Sequence, residues 1–311
     1  MSASNVLLTT AKILLLEAPQ SSSYDLSHHC TVKWRDGKLW VSRAQFQPQM
    51  QLPALGNQAW LKSCLNRSPV KLICLDPNLG EEALKLWADA CKQAGKTAFL
   101  RLPAATELPQ KACTLSWRLK RMVDWLAAAL ILTLLSPVLI AIALLVRLTS
   151  PGPILFTQWR VGERGKLFRV FKFRTMIADA ETMHHQIMGN QNGLHKHLDD
   201  PRITPLGRWL RKYSLDELPQ LFNVLRSEMS LVGPRPWALY DAVRITGESQ
   251  RRLNALPGIT GAWQVQARST LLDLEAVNQL DLYYLTSWSI QQDLKLLLLT
   301  IPKVISGFGA Y

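Results

Sequence analysis

Two adjacent acids, Asp216 and Glu217, stand in the stretch KYSLDELPQLF, just ahead of a proline. Two readings of this pair compete. Ser214-x-x-Glu217 fits a capping box, in which acids are favoured in the first helical turn. Counting Ser214 as the N-cap, however, makes Pro219 the fifth helical residue, where it loses a hydrogen bond. Starting the helix nearer Asp216 removes that conflict. Both carboxylates then sit at a helix N-terminus, a place that also attracts phosphate. Two anions beside a phosphate need a cation, and Mg²⁺ held by a carboxylate and phosphate oxygens is the economical choice. An aspartate is also a sound nucleophile towards phosphorus, because a covalent intermediate splits one hard transfer into two easier ones.

Basic residues crowd the same part of the chain: Lys172 and Arg174 in FKFRTM, Arg202, Arg208 and Arg211 in PRITPLGRWLRK, and Arg235 in GPRP. Guanidinium forks match phosphate oxygens. Interleaving with proline, glycine and aromatics favours a shaped anion pocket, and a solvated basic face explains the pattern equally well. The whole chain carries 36 Lys and Arg against 23 Asp and Glu, a formal charge of +13. Such a balance calls for an anionic partner: nucleic acid, lipid headgroups or a phosphorylated substrate. His195 and His197 fall in the polar stretch HHQIMGNQNGLHKHLDDPR, with no ligand pair at helical spacing, and read as a solvated loop rather than a metal site.

What positions these groups begins with an apolar run. Residues 125–146 form 22 largely apolar positions, the length of a bilayer-spanning helix, and no other run reaches that threshold. Ser136-Pro137 interrupts it near the middle. Arg118, Lys120 and Arg121 precede the run, and Arg147, Arg160, Arg164 and Lys166 follow it, so both flanks are of the cytoplasmic kind. A helix that enters, bends at Ser136-Pro137 and leaves by the same face satisfies both. Each arm, at roughly 17 Å, reaches about half-way through the ~30 Å hydrocarbon core. The Ser136 hydroxyl can help to satisfy the carbonyls that proline frees. An ordinary proline-kinked span is the alternative. Near the end, SWSIQQDLKLLLLTIPKVI reads as an amphipathic helix with Trp288 and Lys303 at headgroup level, or equally as a core helix.

Residues 1–113 read as a small soluble α/β unit. TVKWRDGKLWV alternates around Asp36-Gly37, a hairpin signal. VKLICLD reads as a buried strand, GEEALKLWADACKQAG as a helix closed by Gly95, and TAFLRL as another strand. No glycine-rich phosphate loop occurs, so no chemistry is assigned there. Residues 1–20 lack the basic segment of a secretory signal. All five cysteines lie in this part, odd in number and without CxxC spacing, which suggests buried free thiols in a reducing cytosol.

Taken in order, the blocks KRMVD, LLSPVL, GPILFTQWRVGERGKLFRVFKFRTM, DDPRITPLGRWLRKYSLDELPQLFNVLRSEMSLVGPRP, LPGITGAWQV and LDLYYLTSWSIQQDLKLLLLT resemble the bacterial sugar transferase family, the monotopic phosphoglycosyl transferases. The resemblance runs from about Lys120 to Thr300. It implies a re-entrant helix bent at Ser136-Pro137, seated in the cytoplasmic leaflet of the inner membrane. It implies transfer of a sugar-1-phosphate from a UDP-sugar donor to undecaprenyl phosphate, with UMP released, as the first membrane step of surface polysaccharide synthesis. By the same resemblance Asp216 is the nucleophile that carries the phosphosugar, and Glu217 helps to hold Mg²⁺. Arg211 and Arg235 bind phosphate, with Lys172 and Arg174 as further candidates. Arg121 and Asp124 pair at the start of the hairpin and mark the interface.

Two departures stand out. Larger members carry spanning helices and a further domain before the catalytic part, whereas this chain has a domain of some 110 residues without spans. GITGAWQVQAR also departs from the usual GITGWAQVNGR, with Trp263 displaced by one position. The fold expected is α+β: an α/β accessory domain over 1–113, a re-entrant helix over 118–147, and a mainly helical catalytic domain with a short β-hairpin over 148–311. Expected partners are the donor, the lipid acceptor and inner-membrane lipids, with a homodimer left open. The competing classes are a basic nucleic-acid-binding protein, which no recognisable binding module supports, and a membrane-anchored scaffold without catalysis, which the complete set of acids and arginines opposes.

Overall fold

The computed structural model describes residues 30–43, 58–103, 115–178, 180, 183, 200–245, 247–266 and 273–307. His195, His197 and Cys113 lie outside them. The chain divides into two compact units, 1–101 and 102–311.

In the first unit, β1 (Cys30–Arg35) and β2 (Lys38–Arg43) pair antiparallel. The Asp36-Gly37 turn between them holds both residues at positive φ, 54° and 70°, the geometry that matches the twist of a two-residue hairpin. After α1 (Gln58–Arg67), β3 (Leu72–Leu75) lies parallel to β2. After α2 (Glu81–Gln93), β4 (Thr97–Leu100) lies parallel to β3, so the strand order is β1-β2-β3-β4. Val41, Leu61, Ile73, Leu75, Leu84 and Trp87 form its interior. Cys30, Cys64, Cys74 and Cys91 are free thiols, and burial pushes the Cys91 thiol up to about 12.

The second unit opens with α3 (Leu115–Thr149), a single helix of 35 residues that contains Pro137. Proline cannot donate to Thr133, four residues back. That carbonyl accepts instead from the Ser136 hydroxyl at 2.8 Å, which is how the helix continues through the Ser-Pro pair. Lys120, Asp124, Ala128 and Leu132 recur every fourth residue and are buried, as are Ile142 and Val146 beyond the proline. The outer side is apolar and bare, including Trp125, Leu130, Leu134, Ile140 and Leu144.

Next comes the hairpin of β5 (Leu155–Val161) and β6 (Leu167–Phe173), paired antiparallel. Then follow α4 (Pro205–Lys212), a 3-10 turn over Leu215–Glu217, and α5 (Gln220–Leu225). β7 (Ser230–Val232) leads to α6 (Leu239–Ala242) and then β8 (Gly258–Thr260), which returns parallel to β7. The unit closes with α7 (Ala262–Gln266), α8 (Leu274–Thr286) and α9 (Ile290–Ser306). The β7–β8 pair adds a parallel ladder to the single hairpin expected of this region.

Both arms of α3 pack on this one unit. Ala128 and Leu132 join Phe168, Leu221, Val224 and Leu231, while Ile142 and Val146 join Phe173 and Leu210. At the first arm, Lys120 Nζ meets Asp293 Oδ2 of α9 at 2.6 Å and Asp124 Oδ2 at 3.5 Å. Asp124 accepts from Ser230 Oγ at 2.6 Å, and its contact with Arg121 is longer, 3.8 Å. The Arg121–Asp124 pair is therefore present but secondary to Ser230 and Lys120. Asp293 also accepts from Tyr284 Oη and from Trp288 Nε1. This holds Trp288 inward, edge-on to Trp117, while Ile290, Leu294, Leu298, Ile301 and Ile305 of α9 remain exposed.

Removing one member of a buried charge network strands the others without counter-charge. Asp293→Ala should lower unfolding free energy by about 3 kcal/mol, measured by chemical denaturation in detergent. A change under about 1 kcal/mol would equate the network with a solvent-exposed pair.

Candidate active site

The acidic pair rides on the 3-10 turn, entered through Ser214 in the left-handed region at φ 54°. Ser214 makes no side-chain capping bond, and the α-helix starts only at Gln220 with Pro219 as its N-cap. The capping box is therefore not formed. The helix start also lies later than Asp216, because Pro219 fits where no N–H is required of it. Both acids are buried, each 8 % exposed.

Three devices fix this turn against the hairpin. Asn223 of α5, fully buried, accepts from Phe171 N at 3.0 Å and donates to Arg169 O at 2.9 Å, tying down the strand just ahead of Lys172. Gly207 of α4 lies so close to Thr175 that a Cβ would fall 2.0 Å from its carbonyl oxygen, which brings Arg211 alongside that strand extension. Arg211 Nε donates to Thr175 Oγ1 at 2.9 Å.

Glu217 Oε1 receives Lys172 Nζ at 2.6 Å and Arg235 Nη1 at 3.3 Å. Burial holds the Arg211 guanidinium below its ordinary range, and the acid that most favours its charge is Asp216. Thus Lys172, Arg235, Arg211, Asp216 and Glu217 come together. Arg174 does not. It is buried elsewhere, donating to Ser150 O and Pro151 O at 2.6 Å each, and so secures the chain as it leaves α3. Arg202 is likewise committed, to Asp200 at 2.6 Å and 2.8 Å.

One cation, read in the sequence only as part of the basic flank of the apolar run, belongs beside this group. Arg160 shares a face of the hairpin with Lys172, since Phe156 pairs with Lys172 and Arg160 pairs with Phe168 in register. Strict alternation along the two strands was the available signal. Its Nη1 donates to Pro236 O at 3.1 Å, beside Arg235. A small cleft, with room for little more than a water, lies here, lined by Arg160, Lys172, Gln220, Arg235, Pro236 and Gly258. Lys172, Arg211, Arg235 and Arg160 outnumber Asp216 and Glu217 here, although Arg160 also feels Asp241, and such a cluster of cations suits phosphate oxygens.

Among the described residues no three His, Cys, Asp or Glu side chains cluster to hold a metal. Asp216 and Glu217 alone suit Mg²⁺, which binds through one or two carboxylates when substrate phosphates complete its shell.

Burial pushes the Lys172 ammonium down, and Glu217 opposes that only in part. A lysine so placed loses its proton at lower pH than a free one, so kcat/KM should fall on the alkaline side as Lys172 neutralises. Arginine stays charged throughout. Lys172→Arg should therefore keep a larger share of its neutral-pH activity under alkaline conditions. Superimposable normalised pH profiles would show that Lys172 does not set the limb.

The family model described as bacterial sugar transferase matches residues 115–307. The chain belongs to that family. Over 198 residues it is 42 % identical to the galactosyl transferase CpsE of Streptococcus agalactiae serotype III, covering 61 % of this chain and 43 % of that protein. It is 42 % identical over 205 residues to the undecaprenyl-phosphate glucose phosphotransferase of Komagataeibacter xylinus, covering 62 % and 37 %. A UDP-glucose:undecaprenyl-phosphate glucose-1-phosphate transferase of Caulobacter vibrioides is 41 % identical over 223 residues, covering 69 % and 79 %. The chain thus spans about two fifths of the first two relatives and most of the third.

Proposed function

We propose that this sugar transferase moves a sugar-1-phosphate from a UDP-sugar to undecaprenyl phosphate and releases UMP, opening a surface polysaccharide pathway. The observation that carries the reading is Glu217 locked between Lys172 and Arg235, with Asp216 next to it and Arg211 nearby. The names of the relatives from Komagataeibacter and Caulobacter state the same class of transfer.

In this reading an Asp216 carboxylate oxygen bonds to the β-phosphorus of the donor. The bond from that phosphorus to the bridging oxygen breaks, and its electron pair leaves on UMP. An oxygen of undecaprenyl phosphate then attacks the same phosphorus and displaces Asp216, giving the diphosphate-linked sugar. Lys172, Arg211 and Arg235 hold phosphate oxygens and offset the charge that gathers on them. Mg²⁺ bound at Asp216 and Glu217 would supply further neutralisation of the diphosphate.

The reading places the chain on the cytoplasmic face of the inner membrane, with α3 re-entrant. Support comes from basic residues at both ends of α3 and from the packing of both arms on one compact unit. Ends held on the same body cannot lie on opposite sides of a bilayer unless that body crosses it too. The bare apolar rows of α3 and α9 provide the surface for lipid.

With the purified chain, undecaprenyl phosphate, Mg²⁺ and a panel of UDP-sugars, UMP should appear with a suitable donor and stop on chelation with EDTA. Undiminished release in EDTA would remove the metal from the account; no release from any donor would remove the activity.

A further inference from the structure

Arg235 lies in the loop that follows β7, and where its side chain reaches depends on how that loop is held. Its own carbonyl accepts from Arg252 Nη2 at 2.7 Å. Arg252 in turn meets Asp281 Oδ2 of α8 through Nε at 2.7 Å and Nη2 at 2.5 Å. The guanidinium lies over the Trp237 ring, 4.7 Å from its centre. Arg252 is 2 % exposed and Asp281 1 %. On the other side of the loop, Arg160 donates to Pro236 O and Val161 N donates to Trp237 O at 3.1 Å each.

A buried ion pair is a poor device for stability alone, because desolvation offsets most of its attraction and packed apolar residues often do as well. Apolar residues could not do what Arg252 does here, which is to donate to one named carbonyl while lying over the ring of the next but one side chain. We propose that Arg252, oriented by Asp281, is a positioning residue that sets the main chain at Arg235 and so aims its guanidinium at Glu217 and the substrate phosphate. The inference rests on the reading of Arg235 as a phosphate ligand and goes beyond it in tracing how that ligand is held.

Lysine at 252 retains the charge but not the fork. A single ammonium can face Asp281 or the Arg235 carbonyl, and it cannot reproduce the stacked, two-toothed arrangement. In the full-length chain, Arg252→Lys should lower kcat/KM for the donor about tenfold, the scale of loss that follows a small misplacement of a binding group. Arg235→Ala should also lower it. Adding Arg252→Lys to Arg235→Ala should cost less than about twofold more, because the residue through which Arg252 acts is already gone. A purely structural role would instead make the two losses multiply. Asp281→Asn keeps an oxygen for Arg252 at nearly unchanged volume and runs the same cycle should Arg252→Lys fail to accumulate.

Wild-type kinetics in Arg252→Lys beside an impaired Arg235→Ala, or losses that multiply, would overturn the positioning role and leave the site intact. Wild-type kinetics in Arg235→Ala would overturn the reading of the site, and this proposal with it.

Discussion

Asp216→Asn should reduce UMP release by about a thousandfold or more, the scale seen when a covalent nucleophile is removed. The substitution exchanges one carboxylate oxygen for an amide nitrogen at nearly constant volume, so the buried turn over Leu215–Glu217 has no packing reason to rearrange. What disappears, in the proposed mechanism, is the negative oxygen that would displace UMP. Lys172 and Arg235 remain in place on Glu217, and in the proposed reading they still hold phosphate. At saturating Mg²⁺, which offsets the loss of one of its two carboxylates, donor binding should therefore survive within a few fold while turnover is lost. Turnover within about tenfold of the unaltered chain would assign the nucleophile elsewhere.

Glu217→Gln should be the next most damaging change, lowering kcat/KM about a hundredfold. Two effects combine. Lys172 and Arg235, 2.6 Å and 3.3 Å from the same oxygen, would face one another without the charge that holds them together. In the proposed reading Mg²⁺ would also lose a carboxylate, and half-maximal activity should then require more of it. A rate that recovers in part at high Mg²⁺ supports the metal-binding role. A loss independent of Mg²⁺ would reduce Glu217 to an anchor for the two cations, and a rate within threefold of normal would contradict both roles.

The parts of this molecule that local chemistry dictates were legible in the sequence. Asp36-Gly37 could hardly be anything but a tight turn, and the strands beside it follow. The apolar run, the Ser-Pro pair and its hydroxyl remedy were likewise plain, because helix hydrogen bonding fixes which carbonyl proline abandons. Pairings between distant segments were not. Lys172 and Glu217 are 45 residues apart, and their meeting depends on Asn223 tying α5 to β6, which no periodicity announces. The strands β7 and β8 have three residues each, too few to show alternation, and their approach is instead marked by glycine: a Cβ on Gly258 would fall 2.1 Å from Gly233 N.

Basic residues posed a different difficulty. Lys172 and Arg174 sit two apart in FKFRTM and look alike on paper, yet one meets Glu217 while the other is spent on the carbonyls of Ser150 and Pro151. Charge alone cannot tell a ligand for phosphate from a donor for stray backbone. Ser214 hid its role in another way, since a non-glycine residue at positive φ leaves no trace in composition. The acids stood out because two carboxylates side by side just before a proline fit a capping box only at the cost of a hydrogen bond, and the structure forms no such box.

The most direct test of the account is the mass of the protein itself. Incubated with a suitable UDP-sugar and Mg²⁺ in the absence of lipid acceptor, the chain should gain the mass of one sugar phosphate on the peptide that contains Asp216. Addition of undecaprenyl phosphate should discharge it into lipid product, and Asp216→Asn should gain nothing. Product formed at a normal rate with no adduct on Asp216 would contradict the account.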